Sequence, residues 1–125
     1  MKISEHGVES KVVKYARSKG VLVVKQTHAG ARSHPDRAFY FAGGRLLQIE
    51  FKAPGAKPTT LQAVTIKKLI GLGFTVLIID TVEDGYSVIS HYLAGNIDVR
   101  QSTAILVRLD YVLKVCDQVL KRKAR

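Results

Sequence analysis

Apolar residues recur along this chain at two periods, and each change of period marks a new element. Ser4 reads as a helix N-cap followed by Glu5, at a position where the helix dipole favours an acid. Val8, Val12, Tyr15 and Ala16, widened by Val13, form one helical face, and Gly20 closes that helix. Val21-Leu22-Val23-Val24 opens a first strand that runs to about Thr27, and His28 to His34 reads as a loop containing Gly30 and Arg32. Ala38-Phe39-Tyr40-Phe41 and Arg45-Leu46-Leu47-Gln48-Ile49-Glu50-Phe51 are strand-forming runs separated by Ala42-Gly43-Gly44. Pro54-Gly55 and Pro58 mark a loop, and Thr59 or Thr60 caps a second helix carrying Leu61, Val64, Leu69 and Ile70, which stops near Gly71 to Gly73. The almost unbroken apolar run Phe74-Thr75-Val76-Leu77-Ile78-Ile79 suits a strand buried on both faces. A shorter helix over Val82–Leu93 precedes a break at Ala94-Gly95-Asn96.

The predicted order is helix, three strands, helix, strand, helix. The first three strands make the simplest antiparallel meander, while a helical crossover requires the third and fourth to run parallel with a right-handed connection. The expected fold class is therefore α/β, a single-domain mixed β-sheet flanked by helices. Beyond Ile97 the pattern divides. Ser102–Leu106 reads as a short strand or an extended arm, and Leu109, Val112, Leu113, Cys116, Val119 and Leu120 trace a helical stripe that docks on the same domain or on a partner chain. Lys121-Arg122-Lys123-Ala124-Arg125 ends the chain in a basic run that reads as solvated charge, with contact to phosphates as the alternative.

The middle hairpin gathers candidate chemistry. A three-residue Ala42-Gly43-Gly44 loop places Phe41 opposite Arg45, Tyr40 opposite Leu46, Ala38 opposite Gln48 and Asp36 opposite Glu50. Directly opposed residues face the same side with Cβ atoms about 4.5–5.5 Å apart, so the two carboxylates would repel unless a cation or proton joined them. A two-residue Gly43-Gly44 turn would shift the register by one and send Asp36 to the other face. Glu50 and Lys52, two apart on a strand, share a face. Two carboxylates bind a hard divalent cation through oxygen, and a nearby lysine can orient or deprotonate a water, which is chemistry suited to phosphodiester hydrolysis. Glu9, on the first helix with no cation at i+4, is a candidate further metal oxygen, and Glu5 is its rival. Gln62, in the first turn of the second helix, is placed to reach a metal or a phosphate.

Charge narrows the partner. The 125-residue chain carries 20 Lys and Arg against 10 Asp and Glu, a net charge of +10 that points to a polyanion, nucleic acid first. Lys25, expected on the first strand beside the same carboxylates, and Arg32, Arg37 and Lys57 are candidate phosphate contacts, with Arg45, Lys67 and Lys68 as weaker ones and His28 and His34 as possible substrate contacts. No apolar run reaches the ~20 residues of a membrane span and no signal-peptide block begins the chain, so a cytoplasmic protein without a membrane partner is expected. The single Cys116 excludes an intramolecular disulfide and a multi-cysteine zinc site, and its apolar surroundings make it a core residue.

The succession Val8-Glu9, Lys25, Pro35-Asp36-Arg37, Gly43-Gly44-Arg45, Glu50-Phe51-Lys52-Ala53-Pro54-Gly55, Leu61-Gln62 and Leu72-Gly73-Phe74 resembles the virus-type replication-repair nuclease (VRR-NUC) family of the PD-(D/E)xK nuclease superfamily. The resemblance covers about residues 4–93. It implies a restriction-endonuclease-like core over 1–95, with 96–125 as a C-terminal extension carrying a basic helix. It further implies that Glu9, Asp36 and Glu50 bind Mg²⁺ or Mn²⁺ with the Phe51 carbonyl, that Lys52 positions or activates the water, and that Gln62 completes the site. Stand-alone members of this size are similar to Holliday-junction resolvases, which implies a homodimer cutting branched DNA to a 5′-phosphate and a 3′-hydroxyl. The alternatives are a nuclease for flaps, ends, plain duplex or RNA, and a non-catalytic basic nucleic-acid-binding module.

Overall fold

The computed structural model describes residues 3–27, 30, 33–95 and 103–124, with backbone alone at 103–104 and 123–124. Its elements are α1 (Glu5–Ser18), β1 (Leu22–Lys25), β2 (Arg37–Phe41), β3 (Arg45–Phe51), α2 (Thr60–Gly71), β4 (Thr75–Ile79), α3 (Val82–Ala94) and α4 (Thr103–Ala124). The four strands lie in the order β1-β2-β3-β4, antiparallel between the first three and parallel between β3 and β4. This is the predicted mixed sheet.

The hairpin register is the one a three-residue loop dictates. Phe41 pairs with Arg45, Tyr40 with Leu46 and Ala38 with Gln48. Gly43 and Gly44 take φ of 81° and 72°, a region closed to most side chains, and so let the chain reverse without shifting the ladder. Alternation then sorts side chains between two covers. Phe39, Leu47, Ile49, Phe51, Leu77 and Ile79 share the face under α1 and α3, where Phe41 stacks on Tyr92 with ring centroids 4.8 Å apart. Gln48, Glu50, Val76 and Ile78 share the other face, which meets α2 through Glu50 and Gln62. With both covers in place, Val76 to Ile79 are buried on both sides although β4 is the last strand of the sheet.

Two helices differ from the pattern expected of them. In α2 the buried residues are Ala63 and Ile66, whereas Leu61 is 60% exposed. Gln62 turns toward the sheet to reach Glu50, and Ile66, one turn later, follows it inward. The stretch expected to be a strand or arm belongs, from 103 onward, to α4. Ile105 is the first buried residue of a stripe continued by Val112, Val115 and Cys116, so helical burial wins over local strand propensity. Leu113, expected in that stripe, is exposed and Val115 takes its place. The stripe packs on α2 and β4 of the same chain, and ion pairs tie α4 to α2 through Lys67 and Asp117 (2.6 Å) and to α3 through Arg108 and Asp84.

Helices α1 and α3 cross closely at Gly85, where an added Cβ would sit 2.3 Å from Val12 Cγ2. Gly85→Ala gains about 1 kcal/mol of helix propensity and loses about 1–3 kcal/mol to overpacking. Net destabilisation is expected, seen as a lower urea midpoint; a raised midpoint would contradict this contact.

Candidate active site

Strand β3 ends in the middle of the sheet, and that end carries the acids. The pairing of β1 with β2 extends to Gln26, whose N–H donates to the Asp36 carbonyl at 3.0 Å, while its Nε2 donates to the Pro35 carbonyl at 2.9 Å. Asp36 is thereby held one residue before β2, in the row that contains Glu50 and Ile78. The Phe51 N–H donates to Asp36 Oδ2 at 2.9 Å, fastening one carboxylate directly to the strand that bears the other.

Glu50 is 1% exposed, and its two oxygens are treated differently. Oε2 accepts from Gln62 Nε2 at 3.0 Å and lies 3.2 Å from Lys52 Nζ. Oε1 is buried and has no hydrogen-bond partner among the described residues. Desolvation, then the neighbouring Asp36, push the Glu50 carboxyl from its ordinary 4.5 up to about 7, with Lys52 pulling the other way. Desolvation also raises Asp36, opposed by the Phe51 N–H and reinforced by the negative charges of Glu9 and Glu5. A buried carboxylate with an unmet oxygen beside a second carboxylate is short of one positive charge. Glu50 Oε1 and Asp36 are hard oxygen donors that could meet that deficit by holding a small divalent cation.

Gln62 is fixed by local helix chemistry. Thr59 caps α2 by accepting from the Gln62 N–H at 3.2 Å, and Gln62 Oε1 returns to accept from the Thr59 N–H at 2.9 Å. This capping box leaves Nε2 as the atom that points at Glu50. The Thr59-x-x-Gln62 spacing is itself the sequence signal for that arrangement. Behind it, Asp80 Oδ2 accepts from the Gly55 N–H at 3.0 Å and ties down the loop after Lys52. Nothing in the sequence singled out Asp80, because its partner arrives through the parallel strand.

The structure brings together Asp36, Glu50, Lys52 and Gln62. Among the described residues no three His, Cys, Asp or Glu side chains converge to hold a metal unaided. Glu9 is taken by a cation after all: Arg37 Nε donates to its Oε2 at 2.7 Å, across 28 residues. Arg37, expected at phosphate, is thus engaged in an ion pair with little exposure. Glu5, exposed in the first turn of α1, acts electrostatically on both Asp36 and Glu50. Lys25 pairs with Arg37 on the α1 face, opposite to the face of Glu50, instead of standing beside the carboxylates. Lys57 is exposed in the loop before α2. Arg32 and His28 lie outside the described residues.

The sequence matches no family model. The fold is similar to a solved structure described as a VRR_NUC domain, with a TM-score of 0.64 and 22% identity, covering 72% of this chain and 99% of that one. A curated protein named "Putative nuclease p44", from Acyrthosiphon pisum secondary endosymbiont phage 1, is 34% identical over 79 residues, which are 63% of this chain and 85% of the relative. This chain belongs to the VRR-NUC family. Its restriction-endonuclease-like sheet is the VRR-NUC fold, and the acidic row at the end of β3 occupies the centre of that fold.

The raised Glu50 carboxyl gives this VRR-NUC chain a testable pH dependence. In the cation-free protein Glu50 ionises less readily folded than unfolded. Its contribution is therefore full below about pH 4.5 and is lost as pH rises through about 7, a loss of about 3 kcal/mol. Thermal melts in EDTA should show this decline in wild type and not in Glu50→Gln, and Mg²⁺ should restore wild type more at pH 8 than at pH 5. Identical pH slopes in the two proteins would mean that Glu50 is not the strained group.

Proposed function

We propose that this VRR-NUC chain is a Mg²⁺- or Mn²⁺-dependent endodeoxyribonuclease acting on branched DNA, with a four-way junction as the favoured substrate and a homodimer as the working form. The observation that carries the reading is the buried Glu50 carboxylate with an unpartnered Oε1, facing Asp36 and bonded through Oε2 to Gln62 and Lys52. Membership of a nuclease family supports the reaction class, and a net charge of +10 supports a polyanionic substrate. Two sites related by a two-fold axis suit paired cuts across a symmetric junction.

Asp36, Glu50 and the Phe51 carbonyl would hold the cation, with Glu5 or Glu9 as a further oxygen; Glu9 must first exchange Arg37 for it. When bound, the cation supplies Lewis-acid polarisation of the scissile phosphate and charge neutralisation between the carboxylates. The chain's own residues do the rest. Lys52, 12% exposed and 3.2 Å from Glu50 Oε2, is proposed to hold the attacking water and to offset negative charge growing on phosphorus. Water forms the new P–O bond as the bond to the 3′-oxygen breaks, leaving a 5′-phosphate and a 3′-hydroxyl. Gln62 donates to Glu50 Oε2, which would leave Oε1 to meet the cation. Lys25, Lys57 and Arg32 are proposed to meet backbone phosphates, with Arg37 joining them only when Glu9 exchanges it for the cation.

A labelled immobile four-way junction beside a matched linear duplex, in Mg²⁺, Mn²⁺ or EDTA, tests the reading. Paired metal-dependent nicks confined to the junction are expected. Equal cutting of the duplex would remove junction preference, and binding without cutting would leave a basic binding module. Asp36→Asn and Glu50→Gln should lose cleavage while binding DNA as well or better, since a negative charge facing phosphate is removed. Lys52→Ala should slow cleavage by about 10²–10⁴-fold with metal binding retained; a wild-type rate would refute its role.

A further inference from the structure

Lys57 and the last turns of α4, more than sixty residues apart in sequence, meet beside the capped start of α2. Two adjoining grooves lie there. One of about 320 Å³ is lined by Lys57, Pro58, Thr59, Thr60, Val119 and Arg122. The other, about 350 Å³, is lined by Lys57, Gln118, Lys121 and Arg122. They share Lys57 and Arg122, and neither has an acidic residue in its wall. Lys57 Nζ lies 3.4 Å from Gln118 Oε1, so the loop before α2 rests on α4. The nearby acid of α4, Asp117, is held by Lys67 at 2.6 Å on the flank of α2. Three cations are thus gathered around open space, and among the described residues the acid that acts on Lys121 is Asp117, which Lys67 already binds, so an entering anion would relieve their mutual repulsion.

The groove is joined to the active site by a short chain of hydrogen bonds. Thr59 lines it, Thr59 N–H donates to Gln62 Oε1, and Gln62 Nε2 donates to Glu50 Oε2. The geometry points to a substrate subsite here, in which Lys57, Lys121 and Arg122 bind a backbone phosphate of the DNA strand some distance from the scissile bond, making α4 a substrate-binding arm. This rests on the nuclease reading and extends it to a helix that lies outside the VRR-NUC resemblance. Phosphate oxygens would accept from the lysine ammonium and the guanidinium, contacts that fix the register of a strand without reading its sequence. The basic end of the chain, which by sequence alone reads as solvated charge, acquires this role because the buried stripe of α4 lays Lys121 and Arg122 against the loop of Lys57.

The test compares the double variant Lys121→Gln/Arg122→Gln with Lys11→Gln/Lys19→Gln, which removes the same charge from exposed positions of α1 and its C-cap. Affinity for a labelled junction in EDTA is measured across about 50–300 mM KCl, and cleavage kinetics in Mg²⁺ are measured separately. The α4 variant should bind about tenfold more weakly, with a log-log salt slope shallower by about one to two, because each lost phosphate contact removes roughly 0.9 from the slope. Its KM should rise while kcat stays within about twofold, and Lys121→Arg/Arg122→Lys should restore binding. Equal losses in both double variants would reduce the effect to net charge and overturn the subsite, as would an unaltered slope. Inorganic phosphate that stabilises wild type but not the α4 variant, with DNA affinity unchanged between them, would make the groove a free-anion site and also overturn it. If wild type does not cut DNA at all, the nuclease reading falls, while the slope comparison still decides the groove.

Discussion

The structure turns on the cost of placing the Glu50 carboxylate inside the sheet. A carboxylate removed from water needs partners for both oxygens, and this one has them for Oε2 alone. Its neighbours hold it in that condition. Gln62 cannot swing away without giving up the cap of α2, and Asp36 is fastened to the Phe51 N–H and carried by the extension of β2 toward Gln26. Lys52 shares its strand. The unmet oxygen is thus a fixed feature of the fold, positioned before any ion or substrate arrives, which is how preorganised sites avoid reorganisation during a reaction.

The two covers of the sheet divide the work. On the α1 and α3 side, packing is almost wholly apolar, and the Glu9–Arg37 ion pair is set at its margin next to Asp36. On the other side, α2 brings one polar side chain to the sheet and α4 seals the remainder with Val112, Val115 and Cys116. Burial drives the Cys116 thiol up to about 11, so it is a packing residue and not a nucleophile at neutral pH. The same docking that seals the core brings Lys121 and Arg122 beside Lys57 and Thr59, so in the proposed subsite stability and substrate contact would be coupled through one helix.

Much of this was legible in the chain because strand alternation and turn chemistry are local. Ala42-Gly43-Gly44 admits a loop whose register places Asp36 level with Glu50, and the continuous apolar run of β4 announces a strand covered on both faces. What escaped depends on contacts distant in sequence. The burial of Ala63 and Ile66 in place of Leu61 follows from Gln62 facing Glu50. The start of α4 was ambiguous because Ile105-Leu106-Val107 suits a strand as well as a helix, and only packing decides between them. Arg37 was read as free to meet phosphate because its partner Glu9 lies on another element, and Lys25 was set beside the carboxylates because its face depends on the register of β1. The sequence left the cap of α2 open between Thr59 and Thr60, and the Thr59–Gln62 capping box decides it, a local spacing that was legible but went unread.

Anomalous scattering from a Mn²⁺-soaked crystal would test the central claim most directly. A single strong peak within coordination distance of Glu50 Oε1 and Asp36, absent from Glu50→Gln, is the predicted result. A well-ordered ion bound elsewhere, with Glu50 Oε1 left uncoordinated at neutral pH, would contradict the account.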